Sequence, residues 1–145
     1  MGFSAVLETS AKGRSGSSYL RILLAEDDPA NQKVTLLILK RLGYLADAVG
    51  NGLEALKALE NAQYHLILMD LVMPGMDGLA AAKEIRKRLS PSCQPVIIAI
   101  TAYILPDGKE RCLAAGMDDY LIKPVEIQDL ERVIKKYTPI IGEPV

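Results

Sequence analysis

Four short apolar runs end in residues able to do chemistry: RILLA leads into Glu26-Asp27, HLILM into Asp70, PVIIAI into Thr101 and YLI into Lys123. Three carboxylates, a hydroxyl and an ammonium at strand ends make an acidic pocket with its own counter-ion. Oxygen donors of this kind suit a hard divalent cation, and a cation beside a lysine suits a phosphoryl group. Two like charges about 4 Å apart repel by roughly 4 kcal/mol at an effective dielectric near 20. An ordinary surface ion pair returns only about 0–1 kcal/mol. Gathering Glu26, Asp27 and Asp70 therefore demands a bound cation or a protonated acid.

Taken singly, each of these residues has a plainer reading. Glu26-Asp27 is a loop acid pair beside a helix start, Thr101 a β-branched strand residue and Lys123 a solvated lysine. Their shared place at strand ends is what argues for a site. Asp70 is the candidate nucleophile, because it ends the most apolar run and is followed by the turn-rich loop Leu71 to Gly78. A carboxylate attacking phosphorus needs its charge offset and the phosphoryl oxygens held in line, which a divalent ion and Lys123 supply. The product is an acyl phosphate. Asp77 immediately precedes a helical stretch and reads instead as its cap.

The elements that must position these residues alternate regularly. RILLA is followed by a helix from Pro29 to Leu42, YLADAV by one from Gly52 to Asn61, and HLILMD by one from Gly78 to Leu89. PVIIAIT precedes a helix from Pro106 to Ala115, and YLI one from Glu126 to Tyr137. Strands that are apolar throughout need both faces covered, so five β-α repeats predict an open, doubly wound α/β parallel sheet. Asp28-Pro29 marks a helix start, and Gly43 and Gly116 mark helix stops. Right-handed crossovers then bring every strand's carboxyl end to one edge, where residues far apart in sequence converge.

The chain has 145 residues, half of them apolar, which is enough for one domain with a single sizeable core. Seventeen basic against 18 acidic residues, net charge −1, give no electrostatic case for direct nucleic-acid binding or for an anionic membrane. Cys93 and Cys112 lack any CxxC spacing, so a reduced, cytoplasmic setting is expected. Runs such as Val96–Ile100 fall well short of the roughly 20 residues a bilayer requires, so no membrane insertion is expected. Residues 1–19, serine-rich with Gly13 and Gly16, read as a flexible leader or linker. The domain is expected over 20–138 and a short tail over 139–145.

The stretches ILLAEDDPANQ, LILMDLVMPGMDG, IIAITA and AAGMDDYLIKP, in that order and spacing, resemble the response-regulator receiver domain of two-component signalling from about Arg21 to Tyr137. The resemblance implies a flavodoxin-like strand order 2-1-3-4-5 with five flanking helices. It implies that Asp70 is the phosphoacceptor. Asp27, Asp70 and the Val72 backbone carbonyl would be Mg²⁺ ligands, and Glu26 would act through a metal-bound water. Lys123, the Thr101 hydroxyl and the Ala102 N–H would hold the phosphoryl oxygens, and Thr101 with Tyr120 would form the switch. It further implies a cis Lys123-Pro124 peptide, a phosphohistidine donor on a histidine kinase or histidine phosphotransfer domain, and an output surface on the fourth helix, fifth strand and fifth helix. By that analogy the chain is a phosphoacceptor module, not an enzyme acting on other substrates, and either stands alone or belongs to a hybrid histidine kinase.

Two departures carry expectations of their own. Glu26-Asp27 stands where many relatives have a pair of aspartates, and glutamate still reaches a metal-bound water. Val72 and Tyr103, two positions beyond Asp70 and Thr101, bear no carboxylate or amide to orient an attacking water, which predicts a long-lived phosphoryl group. The helix from Pro29 is expected to bury Val34, Ile38 and Leu42 and to present Leu36 outward for a helical phosphodonor, taking about 100° per residue. Lys83, Arg86, Lys87 and Arg88 read as a solvated basic face, and His65, ahead of a strand, has no expected part in phosphotransfer. The competing reading is a phosphohydrolase resembling the haloacid dehalogenase family, which also uses a strand-end aspartate with Mg²⁺, threonine and lysine. That family needs a second aspartate where Val72 stands.

Overall fold

Successive side chains along a strand point to opposite faces, and in a sheet covered on both sides each must meet an apolar neighbour. The computed structural model, which describes residues 20–102 and 106–141, shows this in β1 (Ile22–Ala25), β3 (Leu66–Asp70) and β4 (Val96–Thr101). Leu23, Ile67, Met69 and Ile97 enter one core layer with Ala55, Ala81 and Ile85. Ile22, Leu24, Leu66, Leu68 and Ile98 enter the other with Leu39, Leu130 and Ile134. Each fully buried Leu or Ile contributes roughly 2 kcal/mol by removal from water.

The sheet has five parallel strands in the order β2-β1-β3-β4-β5, with β2 at Ala46–Val49 and β5 at Asp119–Ile122. Helices α1 (Pro29–Arg41) and α5 (Ile127–Ile141) cover one face. Helices α2 (Gly52–Asn61), α3 (Gly78–Arg88) and α4 (Gly108–Ala114) cover the other. The expected architecture and strand order are those observed. The 1–19 leader, Tyr103 and residues 142–145 lie outside the described residues.

The helix signals read from sequence have their structural counterparts. Asp28 caps α1 with its side chain accepting from Ala30 N–H and Pro29 in the first helical position. Asp77 caps α3 through Ala80 N–H at 2.9 Å, and Asn51, which is not among those signals, caps α2 through Glu54 N–H. Gly43 and Gly116 end helices at φ near +96°, a conformation costly for any residue with a Cβ.

Four expectations need correction, the first being that Arg86 is not part of a solvated face: its guanidinium donates to Gly116 O at 2.7 Å and pairs with Asp118 at 2.8 Å. On α1 the face toward the sheet is centred on Thr35 and Leu39, both buried, with Leu36 and Ile38 packed beside them. The outward residues are Val34, 56% exposed, and Leu37, 61% exposed, so Val34 is not core and Leu36 is not the outward leucine. The polar but β-branched Thr35 sits where an apolar tally would put a solvated position. Strand β2 is an edge strand and only half-buried, unlike the fully buried β1 and β3. Helix α5 continues past Tyr137 through Pro139 to Ile141. The ring there removes only the bond to the carbonyl of exposed Lys135, which water can satisfy.

Candidate functional site

Asp70 ends β3 with only 3% of the residue exposed, and the loop behind it is held tightly. Leu71 N–H continues the ladder to Ile100 O at 3.1 Å, Val72 N–H donates to Asp70 Oδ1 at 3.1 Å, and Gly78 N–H returns to Leu71 O. A Cβ on Gly78 would overlap the Asp70 carbonyl oxygen, so the helix that follows the loop can start this close to the strand end only with glycine.

The other Asp70 oxygen faces Lys123. Its Nζ donates to Asp70 Oδ2 at 2.9 Å and lies 3.0 Å from Glu26 Oε1, so one ammonium serves two nearly buried acids. Lys123 follows β5, and its N–H donates to the Thr101 carbonyl at 2.7 Å. The Lys123-Pro124 peptide is cis, as expected. Glu26 Oε2 accepts from Asp28 N–H at 3.2 Å. One carboxylate oxygen each from Glu26, Asp27 and Asp70 lies within 4.8 Å of the others, with Asp27 the exposed member. Three clustered carboxylates from two adjacent strand ends are a hard oxygen donor set of the kind a divalent cation such as Mg²⁺ takes.

The electrostatics follow from this crowding. Burial pushes the Glu26 carboxyl above its ordinary value; the Lys123 hydrogen bond pulls the other way without cancelling it, and the neighbouring Asp70 adds to the rise. Burial alone would lower the Lys123 ammonium, but its bonds to Asp70 and Glu26 outweigh that and hold it above its usual value. A cavity of about 180 Å³ opens beside the pair, lined by Asn31, Val34 and Thr35 of α1 and by Lys123, Pro124 and Val125.

Thr101 is buried at the end of β4, paired with Ile122, and Ala102 follows it exposed. Tyr120 pairs with Ala99 and is half-buried against the α2–α4 layer. Val72 is 77% exposed. Thus Glu26, Asp27, Asp70 and Lys123 come together at one edge, with Thr101 on the adjacent strand end. Inspection of the sequence missed Gln32, whose side-chain amide donates to the Glu26 carbonyl at 3.0 Å and to the Val49 carbonyl at 3.2 Å. An isolated glutamine near a helix start gives no composition or spacing signal for such a role.

Residues 22–135 match the family model described as the response regulator receiver domain. The chain belongs to that family. It is 36% identical to Probable histidine kinase 1 of Oryza sativa subsp. indica, aligning over 92% of this chain and 17% of that protein. It is 42% identical to Hybrid signal transduction histidine kinase G of Dictyostelium discoideum, over 89% of this chain and 4% of that protein. The chain thus spans a small fraction of these curated relatives. Among solved structures, it is similar to the receiver domain of sensor histidine kinase PA1611 from Pseudomonas aeruginosa PAO1, which has magnesium coordinated in its active-site cleft. The identity is 41%, with a TM-score of 0.74 over 81% of this chain and 96% of that one. It is also similar to the Saccharomyces cerevisiae complex of the histidine phosphotransfer protein Ypd1 with the Ssk1 receiver domain, with 31% identity and a TM-score of 0.75. That match covers 83% of this chain and 90% of that one. This receiver domain has no support for the haloacid dehalogenase reading, whose second aspartate is Val72 here. Among its described residues no helix is long and apolar enough to cross a membrane.

Proposed function

We propose that this receiver domain takes a phosphoryl group onto Asp70 from a phosphohistidine of a histidine kinase or histidine phosphotransfer domain. An Asp70 carboxylate oxygen bonds to phosphorus as the phosphorus–nitrogen bond breaks, and that electron pair returns to the imidazole. An acyl phosphate remains on this chain. The observation that carries the reading is the enclosure of Asp70: one oxygen on Lys123 at 2.9 Å, and Glu26 and Asp27 carboxylates within 4.8 Å.

The acidic trio fits Mg²⁺, the ion in the Pseudomonas receiver's cleft, and the Val72 backbone carbonyl would add a further oxygen to it. When bound it supplies positive charge against the attacking carboxylate and the phosphoryl oxygens. Lys123 would offset the same charge, and the Thr101 hydroxyl and Ala102 N–H would donate hydrogen bonds to the remaining phosphoryl oxygens. Thr101 drawn toward the phosphoryl group leaves space for Tyr120 to turn inward, altering the surface of α4, β5 and α5 for a downstream partner. On this reading the domain acts only on its own aspartate, turns over no separate substrate, and works in the cytoplasm, where its free thiols Cys93 and Cys112 stay reduced. The curated relatives are histidine kinases many times its length, so a place within a hybrid kinase is the context we infer.

The test is incubation with Mg²⁺ and acetyl phosphate or phosphoramidate, followed by intact mass. A single phosphoryl group gained by the native chain and none by Asp70→Asn is the expected result. Absence of any gain, or a gain kept by Asp70→Asn, overturns the reading.

A further inference from the structure

Asp27 is the exposed acid of the trio, so packing does little to aim it; its direction is set by the backbone on either side. Both flanking carbonyls end on one residue. Gln32 N–H donates to Asp28 O at 2.9 Å, and Gln32 Nε2 donates to Glu26 O at 3.0 Å. The second hydrogen of the same amide goes to Val49 O at 3.2 Å, on the neighbouring strand end. Both acceptors are carbonyls, so only the amide nitrogen can serve them.

These bonds add little to holding the sheet. Ala25 already pairs with Val49, and Glu26 N–H donates to Val49 O at 3.0 Å. What the Gln32 amide adds lies just beyond the ladder, at the peptide joining Glu26 to Asp27, where regular pairing has stopped and the chain turns into α1. Asp28 N–H on Glu26 Oε2 closes the other side of the turn.

We propose that Gln32 is a positioning residue for the acidic loop: from the first turn of α1 its side chain fixes the Glu26–Asp27 peptide, its N–H ties the Asp28 carbonyl to the helix, and it so presents Asp27 and Glu26 to the divalent cation. The inference rests on the Mg²⁺ reading above. Groups that orient ligands in this way commonly account for about 10–100-fold in metal affinity.

The test is Mg²⁺ titration calorimetry on the full chain, with thermal melting of each variant. Gln32→Met keeps the side-chain length and removes the donors; its Mg²⁺ Kd is expected to rise about tenfold. The control is Gln94→Met. Gln94 Nε2 caps the end of α3 by donating to Leu89 O at 2.8 Å and Arg86 O at 3.2 Å, away from the acidic loop. That variant is expected to melt earlier with its Mg²⁺ Kd within about twofold of native, the ordinary scatter for an uncoupled site. With acetyl phosphate, Gln32→Met should need more Mg²⁺ for half-maximal phosphorylation but approach the native rate at saturating Mg²⁺. A folded Gln32→Met whose Mg²⁺ Kd matches the native value overturns the proposal. Should that variant not fold, Gln32→Asn, one methylene shorter, is judged by the same criterion. A native chain that binds no Mg²⁺ overturns the metal reading itself, a distinct result.

Discussion

Lys123 Nζ lies 2.9 Å from Asp70 Oδ2, a bond that links the ends of β3 and β5 and leaves the same ammonium 3.0 Å from Glu26. In the metal-free protein this lysine is the counter-charge for two carboxylates that are almost fully buried. Removing one partner of a buried ion pair leaves the other uncompensated, at about 3–5 kcal/mol; Lys123 is 22% exposed, so the cost here belongs at the lower end, about 3 kcal/mol. Lys123→Met is therefore expected to melt well below the native domain without Mg²⁺. Since the acids then lack their only close ammonium among the described residues, added Mg²⁺ should raise the melting temperature of Lys123→Met more than that of the native chain. Equal Mg²⁺ shifts in thermal melts would refute this division of labour.

Glu26 supplies a pH dependence whose sign is fixed by its environment. Its carboxyl is raised above the ordinary 4.5, by burial first. A raised folded-state value means that its contribution to the stability of the metal-free domain is present below 4.5 and is lost as pH rises through the folded value. Binding of Mg²⁺ has the opposite preference, because it needs the ionised acid. Mg²⁺ affinity is expected to fall as pH drops from 7 into the range where Glu26 protonates, with net proton release on binding there. Calorimetry in buffers of different ionisation enthalpy measures that proton, and Glu26→Gln should abolish it.

The strand-end acids, Lys123 and the helix caps were legible because each stands at a sharp change of pattern: an apolar run giving way to a charge, or Asp-Pro and Asp-Gly at a helix start. Which strands stand at the edge was not legible, since ADAV carries Asp47 where LILM is wholly apolar but the position of each strand follows from the order of the sheet. The role of Gln32 and the close approach of Gly78 to the Asp70 carbonyl were invisible for a related reason: both depend on a carbonyl brought near by packing, which leaves no periodic trace. The face of α1 was misassigned because burial follows the direction of the sheet, and Thr35 occupies its centre with only 6% exposure.

The corrected face of α1 changes which variants should disturb recognition. Val34 and Leu37 are exposed, and Val34 lines the cavity beside Lys123, whereas Leu36 packs on the core layer. If a helical phosphodonor docks here, Leu37→Asp and Val34→Asp are expected to slow transfer from a histidine phosphotransfer protein by about tenfold, the effect of one well-buried interface residue. For Leu37→Asp, which lies outside that cavity lining, phosphorylation by acetyl phosphate, which needs no docking, should be unchanged. Leu36→Asp should instead lower the melting temperature. Stopped-flow or gel-based transfer assays alongside small-donor assays separate the two outcomes.

His65 has a structural task that makes stability pH-dependent at the opposite edge of the sheet. Its Nδ1 accepts the Arg21 N–H at 2.9 Å, while His65 N–H donates to Arg21 O at 2.8 Å, closing the entry of β1 against β3. Burial, and after it the Arg21 charge, holds the imidazole below its ordinary 6.5. An acceptor Nδ1 must be unprotonated, so the bond and its stabilisation are present above pH 6.5 and are lost as pH falls through the folded-state value. His65→Asn offers an amide oxygen in place of the ring nitrogen and does not titrate. Chemical denaturation at pH 7.5 and at pH 5.5 should therefore show a smaller loss of stability on acidification for His65→Asn than for the native domain. Identical losses in the two proteins would place the acid sensitivity elsewhere, with the carboxylates paired to Lys136 and Arg86 the next groups to substitute.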